Sequence, residues 1–291
     1  MHTTTQHERA GRTAESDPIA HAFSRYAPDY DREQQANLLA RWTRARSKHV
    51  LARSFRPGDR VLEIGCGTGE EALYLASRGI SVVATDASTG MIEVVRAKLA
   101  ALDAGDPRIN MVSTRILAAR DIGQLVGEFG SGAFSGAYSS FGPLNCEVDL
   151  GPVVSALAEL VRPGGKVVIS LLNRFCAWET LWHLAKLQPR TAFRRWGGRA
   201  EATVREAWSD QKIPVYYWTP GTIERLFLGR FTTIRRTALT WVLPPPYLEG
   251  LVKHRPRLLR LLAYVEVRSA SRGPFNAIGD HVLLELVRRR Q

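Results

Sequence analysis

The run from residue 60 to residue 86 constrains the chain more than any other. RVLEIGCG (60–67) follows Pro57-Gly58 and is a short apolar segment closed by glycines, which reads as a buried strand. TGEEALYLASRG (68–79) has helical spacing and ends on Gly79, and SVVATDAS (81–88) is a second apolar run that reaches Asp86. Two apolar strands joined through a helix are the pattern of a βαβ crossover, which points to a parallel sheet with helices on its faces.

The same rhythm continues. A helix is expected over 89–102, with Met91, Val94, Val95 and Leu99 at helical spacing, and a third strand over 109–113. The fourth strand lies within 132–142, and a helix over 149–161 stops at Arg162-Pro163-Gly164-Gly165. KVVISLLN (166–173) is the fifth strand, which makes the fold class α/β with a doubly wound sheet. After Asn173 the pattern breaks into Trp- and Arg-rich helical pieces over 174–214. It returns with a helix at 219–230 (Thr219 as N-cap, Pro220 at N1) and a strand at 231–243. A second interruption over 244–273 precedes a last strand at 281–289. The expected organisation is a flexible leader over 1–19 and a single domain over 20–291. Helical insertions at 174–214, after strand 5, and at 244–273, between the last two strands, are expected to cover the site.

Charge follows these divisions. Residues 1–173 carry 19 Lys/Arg against 19 Asp/Glu, whereas 174–272 carry 18 against 7, nearly all of the net +12. Such a block fits a face for nucleic acid, anionic lipid or an acidic substrate, and it also fits arginine-rich composition with no role. No apolar run approaches the roughly 20 residues that span a bilayer. The N-terminus has no apolar h-region, so a cytoplasmic protein is expected. Cys66, Cys146 and Cys176 form no CxxC pair, which points to reduced thiols and no metal site.

Glycines after the first strand let the backbone turn sharply and approach a ligand at the next helix N-terminus. Asp86, nineteen residues beyond Gly67, ends the second strand, where a carboxylate can accept both hydroxyls of a ribose. A dinucleotide fingerprint would need glycine at position 70, which is Glu70. With Glu71 beside it, negative charge is expected where a pyrophosphate would sit, which disfavours an NAD-dependent oxidoreductase.

Glu63-Ile64-Gly65-Cys66-Gly67-Thr68-Gly69 with VVATDAS resembles the first two motifs of the class I S-adenosylmethionine-dependent methyltransferases of small-molecule type. FSRYAPDYDR (23–32), FSGAYSSFGPLN (134–145) and LAELVRPGGKVVISLLN (157–173) extend the resemblance. It implies a mostly parallel, seven-stranded Rossmann-like sheet and S-adenosyl-L-methionine as cofactor, with S-adenosyl-L-homocysteine as product. It also implies that Gly65, Cys66, Gly67 and Gly69 form the turn along the methionine part, ordered by Glu63. Asp86 would hold the ribose, and Ala87 and Met91 would line the adenine, Met91 being equally at home in the core. Ser139, Ser140 and Phe141 would lie beside the methyl, and Tyr26 and Tyr30 would close over the cofactor or simply anchor the leader helix. The family's acidic residue after the third strand is missing from Ser113-Thr114-Arg115-Ile116-Leu117.

The expected acceptor is a small organic molecule, apolar or lipid-like, methylated at O, N or C by a monomer or homodimer. Alternatives are an RNA methyltransferase using the basic insertions and a cofactor-binding protein without catalysis. His183, His254 and Tyr216 are the candidates for chemistry or acceptor contact in the insertions. Pro244-Pro245-Pro246-Tyr247 reads as a rigid bend rather than the Asn-Pro-Pro-Tyr box of amino-methyltransferases, which belongs after the fourth strand. The stretch 254–272 alternates leucines with arginines, as a lid helix or a helix lying on an anionic membrane would.

Overall fold

The computed structural model describes residues 17–203 and 212–290. Asp17 accepts from the Ile19 N–H and caps α1 (Pro18–Ala36), so a helix begins inside the expected leader, whose residues 1–16 lie outside the described ones. Asn37 ends α1 and caps α2 (Leu38–Ser54) through the Ala40 N–H. The βα units follow as β1 (Arg60–Ile64), α3 (Glu70–Ala76), β2 (Ser81–Asp86), α4 (Thr89–Ala100) and α5 (Arg108–Met111). Next come β3 (Val112–Ile116), α6 (Leu125–Phe129), β4 (Phe134–Ser139), α7 (Gly151–Leu160) and β5 (Val161–Leu172). The third strand starts three residues later than expected, because Pro107 opens a helical turn there and the Asp106 carboxylate accepts from the Arg108 N–H.

The first insertion holds α8 (Ala177–Ala185), α9 (Pro189–Ala192), β6 (Arg199–Thr203) and β7 (Lys212–Tyr216), the strands forming a separate antiparallel pair. The expectation of a purely helical insertion is corrected here. Then come α10 (Pro220–Phe227), β8 (Phe231–Leu239), α11 (Pro256–Ser269) in the second insertion, and β9 (His281–Arg288).

The main sheet has seven strands in the order β3-β2-β1-β4-β5-β9-β8. β1 to β5 are parallel, and β9 runs antiparallel to both β5 and β8. Side chains alternate across the strands. Leu62 and Ile64 of β1 join the core under α7 and α10, while Val61 joins the core under α2, α3 and α4. Leu62 and Leu157 are fully buried in the first of these cores, so trimming either to Ala would cost about 2–5 kcal/mol. The chain leaves β1 toward β2 on one side and β4 on the other, which opens a crevice at their carboxyl ends.

The insertions grip the two N-terminal helices. Ile213, Val215 and Tyr217 pack with Ile19, Ala22, Phe23 and Tyr26 of α1. Leu259, Leu262 and Ala263 of α11 pack with Leu39 and Trp42 of α2. Arg195 ties the first insertion to the loop before β9, 2.6 Å from Glu179 and 2.9 Å from Asp280. All three side chains are buried, so losing one partner would strand a charge at about 3–5 kcal/mol. No helix among the described residues is long and apolar enough to cross a membrane.

Candidate active site

A cleft enclosing about 1010 Å³, mouth included, occupies the crevice. Its floor is the turn after β1. Asp86 crosses from β2 to that turn, one carboxylate oxygen accepting from the Gly67 N–H at 2.8 Å and the other from the Ser88 N–H at 2.8 Å. Burial pushes the Asp86 carboxyl up, and these two donors oppose the shift. Two of the roughly four acceptor positions of a carboxylate are thereby used, leaving the rest for a ligand. Gly67 has φ +52°, and nothing lies within 4 Å of where a Cβ would stand, so a side chain there would enter the cleft.

Glu63 is buried on the face shared with Tyr138, and its Oε2 has no hydrogen-bond partner among the described residues. Burial, then the neighbouring Glu71, hold its carboxyl well above the usual carboxylate range. Burial likewise keeps the Cys66 thiol protonated. Glu70 turns away from the cleft to Lys98 at 3.0 Å and Lys48 at 3.3 Å. Only Glu71 of the acidic pair lines the cleft, 3.5 Å from the Arg44 Nε. The roof is the start of α1, through Asp17, Ile19, Ala20 and Phe23.

Of the residues expected at the cofactor, Tyr30, Glu63, Gly65, Cys66, Gly67, Asp86, Ala87, Met91, Ser140 and Phe141 line this cleft. Met91 is buried as well, so it serves as core and as wall. Tyr26 stands behind Tyr30, ring centroids 5.4 Å apart, and donates to Glu33. Gly69 backs onto Val95 of α4, and Ser139 is buried with its Oγ unpartnered among the described residues. Where the acidic residue after the third strand is missing, Leu117, Ala118, Ala119 and Arg120 form the wall, and Arg120 meets Asp17 and Glu147 there. Those two carboxylates come from distant segments and carried no local signal.

A second cavity of about 1310 Å³, mouth included, adjoins the first and shares Tyr30, Arg44 and Phe141 with it. The Arg44 guanidinium lies 5.8 Å from the Tyr30 ring centre and 5.5 Å from that of Phe141. Asn37, Thr43, Thr240, Pro246, Tyr247 and His281 complete much of the wall, so the Pro244–Tyr247 bend serves this cavity. Phe141 and Thr240 have φ of +62° and +58°. Non-glycine residues in that region are strained by about 1–3 kcal/mol, and such strain gathers at functional sites.

The three candidates drawn from the insertions line neither cavity. His183 sits on α8 with Nδ1 2.9 Å from Gln188, His254 is exposed ahead of α11, and Tyr216 lies on β7 beneath Arg199. Tyr216 lies on the face of β7 opposite Ile213, Val215 and Tyr217, the residues that pack against α1. The histidine that reaches a cavity is His281, whose Nδ1 is 2.9 Å from the Asp280 carboxylate. Its only signal in the sequence was its place at the head of the last apolar run.

A family model described as a methyltransferase domain matches residues 61–165. A demethylmenaquinone methyltransferase of Symbiobacterium thermophilum is 27% identical over 154 residues, 52% of this chain and 57% of that protein. One from Mycobacterium sp. (strain KMS) is 31% identical over 180 residues, 60% of this chain and 70% of that protein. The match thus spans little more than half the length of the first of these relatives. A putative S-adenosylmethionine-dependent methyltransferase from Listeria monocytogenes superposes with a TM-score of 0.56 over 83% of this chain and 96% of its own. At 16% identity that likeness concerns the fold.

Proposed function

The chain belongs to the class I S-adenosylmethionine-dependent methyltransferases, and from that premise we propose that it moves a methyl group from S-adenosyl-L-methionine to a small, lipid-like organic acceptor. The observation that carries this reading is the floor of the cleft. Asp86 spans Gly67 and Ser88 with acceptor capacity to spare, beside open space that any residue but glycine would fill. When bound, the cofactor supplies an electrophilic methyl on a cationic sulfur and leaves as S-adenosyl-L-homocysteine.

The residues present suit such a group. Asp86 would accept the ribose hydroxyls, while Ala87 and Met91 would flank the base. Gly65, Cys66 and Gly67 would run along the methionine part, and the Glu71 carboxylate on the same wall suits a cationic, phosphate-free ligand. Ser140 and Phe141 follow the tip of β4, Ser140 on the wall of the cleft and Phe141 on the wall shared by the two cavities. The second cavity takes the acceptor, and alignment of the two supplies much of the rate. The start of α1 forms one wall of the cleft and narrows its access to solvent.

We read residues 20–291 as one domain whose insertions brace α1 and α2 over the site, acting in the cytoplasm. The relatives' names support a lipid-like acceptor. Peripheral contact with anionic lipid belongs to the same reading, because α11 exposes Leu258, Leu261 and Val265 beside Arg257, Arg260 and Arg268.

Calorimetry with S-adenosyl-L-methionine on the wild type and on Asp86→Ala tests the cofactor assignment. We expect at least tenfold weaker binding in the variant, about 1.4 kcal/mol. Equal affinities would remove the ribose contact, and absence of binding to the wild type would remove the function. A methyl-transfer screen with labelled cofactor over phenols, quinols, amines and carboxylic acids then addresses the acceptor.

A further inference from the structure

We propose that His281, ion-paired with Asp280, is the base that takes the proton from the acceptor's reacting hydroxyl, and that the second cavity is built for a phenolic or enolic acceptor. The proposal rests on the methyltransferase reading above.

Position comes first. β9 runs against the parallel strands, so its first residue stands at the carboxyl edge of the sheet, paired with Leu172 of β5 and Leu239 of β8. The His281 ring meets Phe141 edge-on at 6.1 Å between centroids, and Phe141 is the wall shared with the cofactor cleft. The side chain is 14% exposed. Nδ1 lies 2.9 Å from the Asp280 carboxylate without the alignment of a hydrogen bond, and Nε2 is the nitrogen left to act as base.

Asp280 is equipped to support a proton on that ring. It is buried, and Arg195 lies 2.9 Å from its other oxygen. Burial pushes the carboxyl up, but Arg195 and then His281 outweigh it and hold Asp280 well below the usual carboxylate range. A carboxylate 2.9 Å from one nitrogen attracts the positive charge that the ring carries once the other nitrogen has taken a proton. The other charged and titratable groups around the ring are Arg44 of α2, Tyr30 and Glu33 of α1, and Tyr247, all lining the cavity.

The walls name the acceptor class. Phe141, Tyr30 and Tyr247 offer aromatic faces to a planar ring, and Arg44 offers a cation to an oxygen that becomes anionic. A phenol, with an ordinary pKa of about 10, is a poor nucleophile at neutral pH until its proton leaves. An amine free base or a thioether needs no such base. As the acceptor's oxygen, or the ring carbon conjugated to it, bonds to the methyl carbon, the methyl–sulfur bond breaks with its electron pair on sulfur. The hydroxyl proton goes to His281 Nε2. When carbon is the acceptor, its own hydrogen then leaves to solvent and restores the ring.

The test uses the full chain without cofactor and 4-nitrophenol as the probe, whose ionisation is read by absorbance. Wild type is expected to bind the probe and ionise it at lower pH than free solution does. In His281→Asn and His281→Gln, thermal melts confirming the fold, the bound probe's midpoint should rise by at least a threefold change in proton concentration. Identical midpoints in wild type and both variants overturn the proposal, as does failure of the wild type to bind the probe. Calorimetry with S-adenosyl-L-methionine on the same proteins keeps the two readings apart. Affinity within twofold across all three is the expected result, whereas no binding to any of them strikes the methyltransferase reading and leaves the proton assignment to the probe.

Discussion

At position 67 the chain needs a left-handed backbone and an empty volume at once, and glycine alone meets both demands. Gly67→Ala should remain folded, since one alanine in that conformation costs about 1–2 kcal/mol. The added methyl enters the cleft, so cofactor affinity should fall more than tenfold while the melting temperature drops only a few degrees. Thermal shift and calorimetry on one preparation check both halves, and unaltered affinity would show that the cofactor does not lie along this turn. The turn was legible in the sequence because its parts are close together: glycines, a helix start and Asp86 within one βαβ unit. His281 was not, because its place depends on the direction of a strand paired with residues more than a hundred positions away. His183 and His254 drew attention through their neighbourhood in the basic insertions, yet nearness in sequence to a covering segment says nothing about which face it presents.

Among the elements, α1 carries the roof, and its seat is narrow. A Cβ on Gly90 of α4 would come within 2.6 Å of the Ser24 carbonyl oxygen, and the Ser24 hydroxyl lies 2.9 Å from that of Ser88. Gly90→Val should therefore lift α1 without touching the sheet. Cofactor affinity should fall about tenfold, and amides of α1 should exchange faster while those of β1 and β4 do not. Unchanged exchange in α1 would mean that the roof is seated elsewhere. The helix itself could be anticipated from FSRYAPDYDR, but its N-terminus depended on a single cap, Asp17. The β6–β7 pair escaped notice because five-residue strands, one of them broken by Pro214, give too little alternation to outweigh nearby helical composition.

For the molecule as a whole, part of the surplus charge of 174–272 sits on α11, where Arg257, Arg260 and Arg268 are exposed. With leucines of α11 also exposed, the full chain should sediment with vesicles containing phosphatidylglycerol at low salt. It should release them near 0.5 M salt, where the screening length falls to a few ångströms, and ignore purely zwitterionic vesicles. Binding indifferent to lipid charge would contradict an electrostatic contact. The doubly wound order was readable up to the fifth strand because each strand announces the next helix. Beyond it, the insertions concealed how the last two strands join the sheet.

The reversed direction of β9 has a consequence for how such a site can change. A parallel strand offers the site its last residue, fixed by everything folded before it. An antiparallel strand offers its first, ahead of the residues that hold its register. Leu283 is locked in the core and Glu285 is paired with Arg53, so β9 keeps its place whichever side chain stands at its head. The chemistry at the acceptor could thus be exchanged by one substitution at position 281, leaving the cofactor floor untouched.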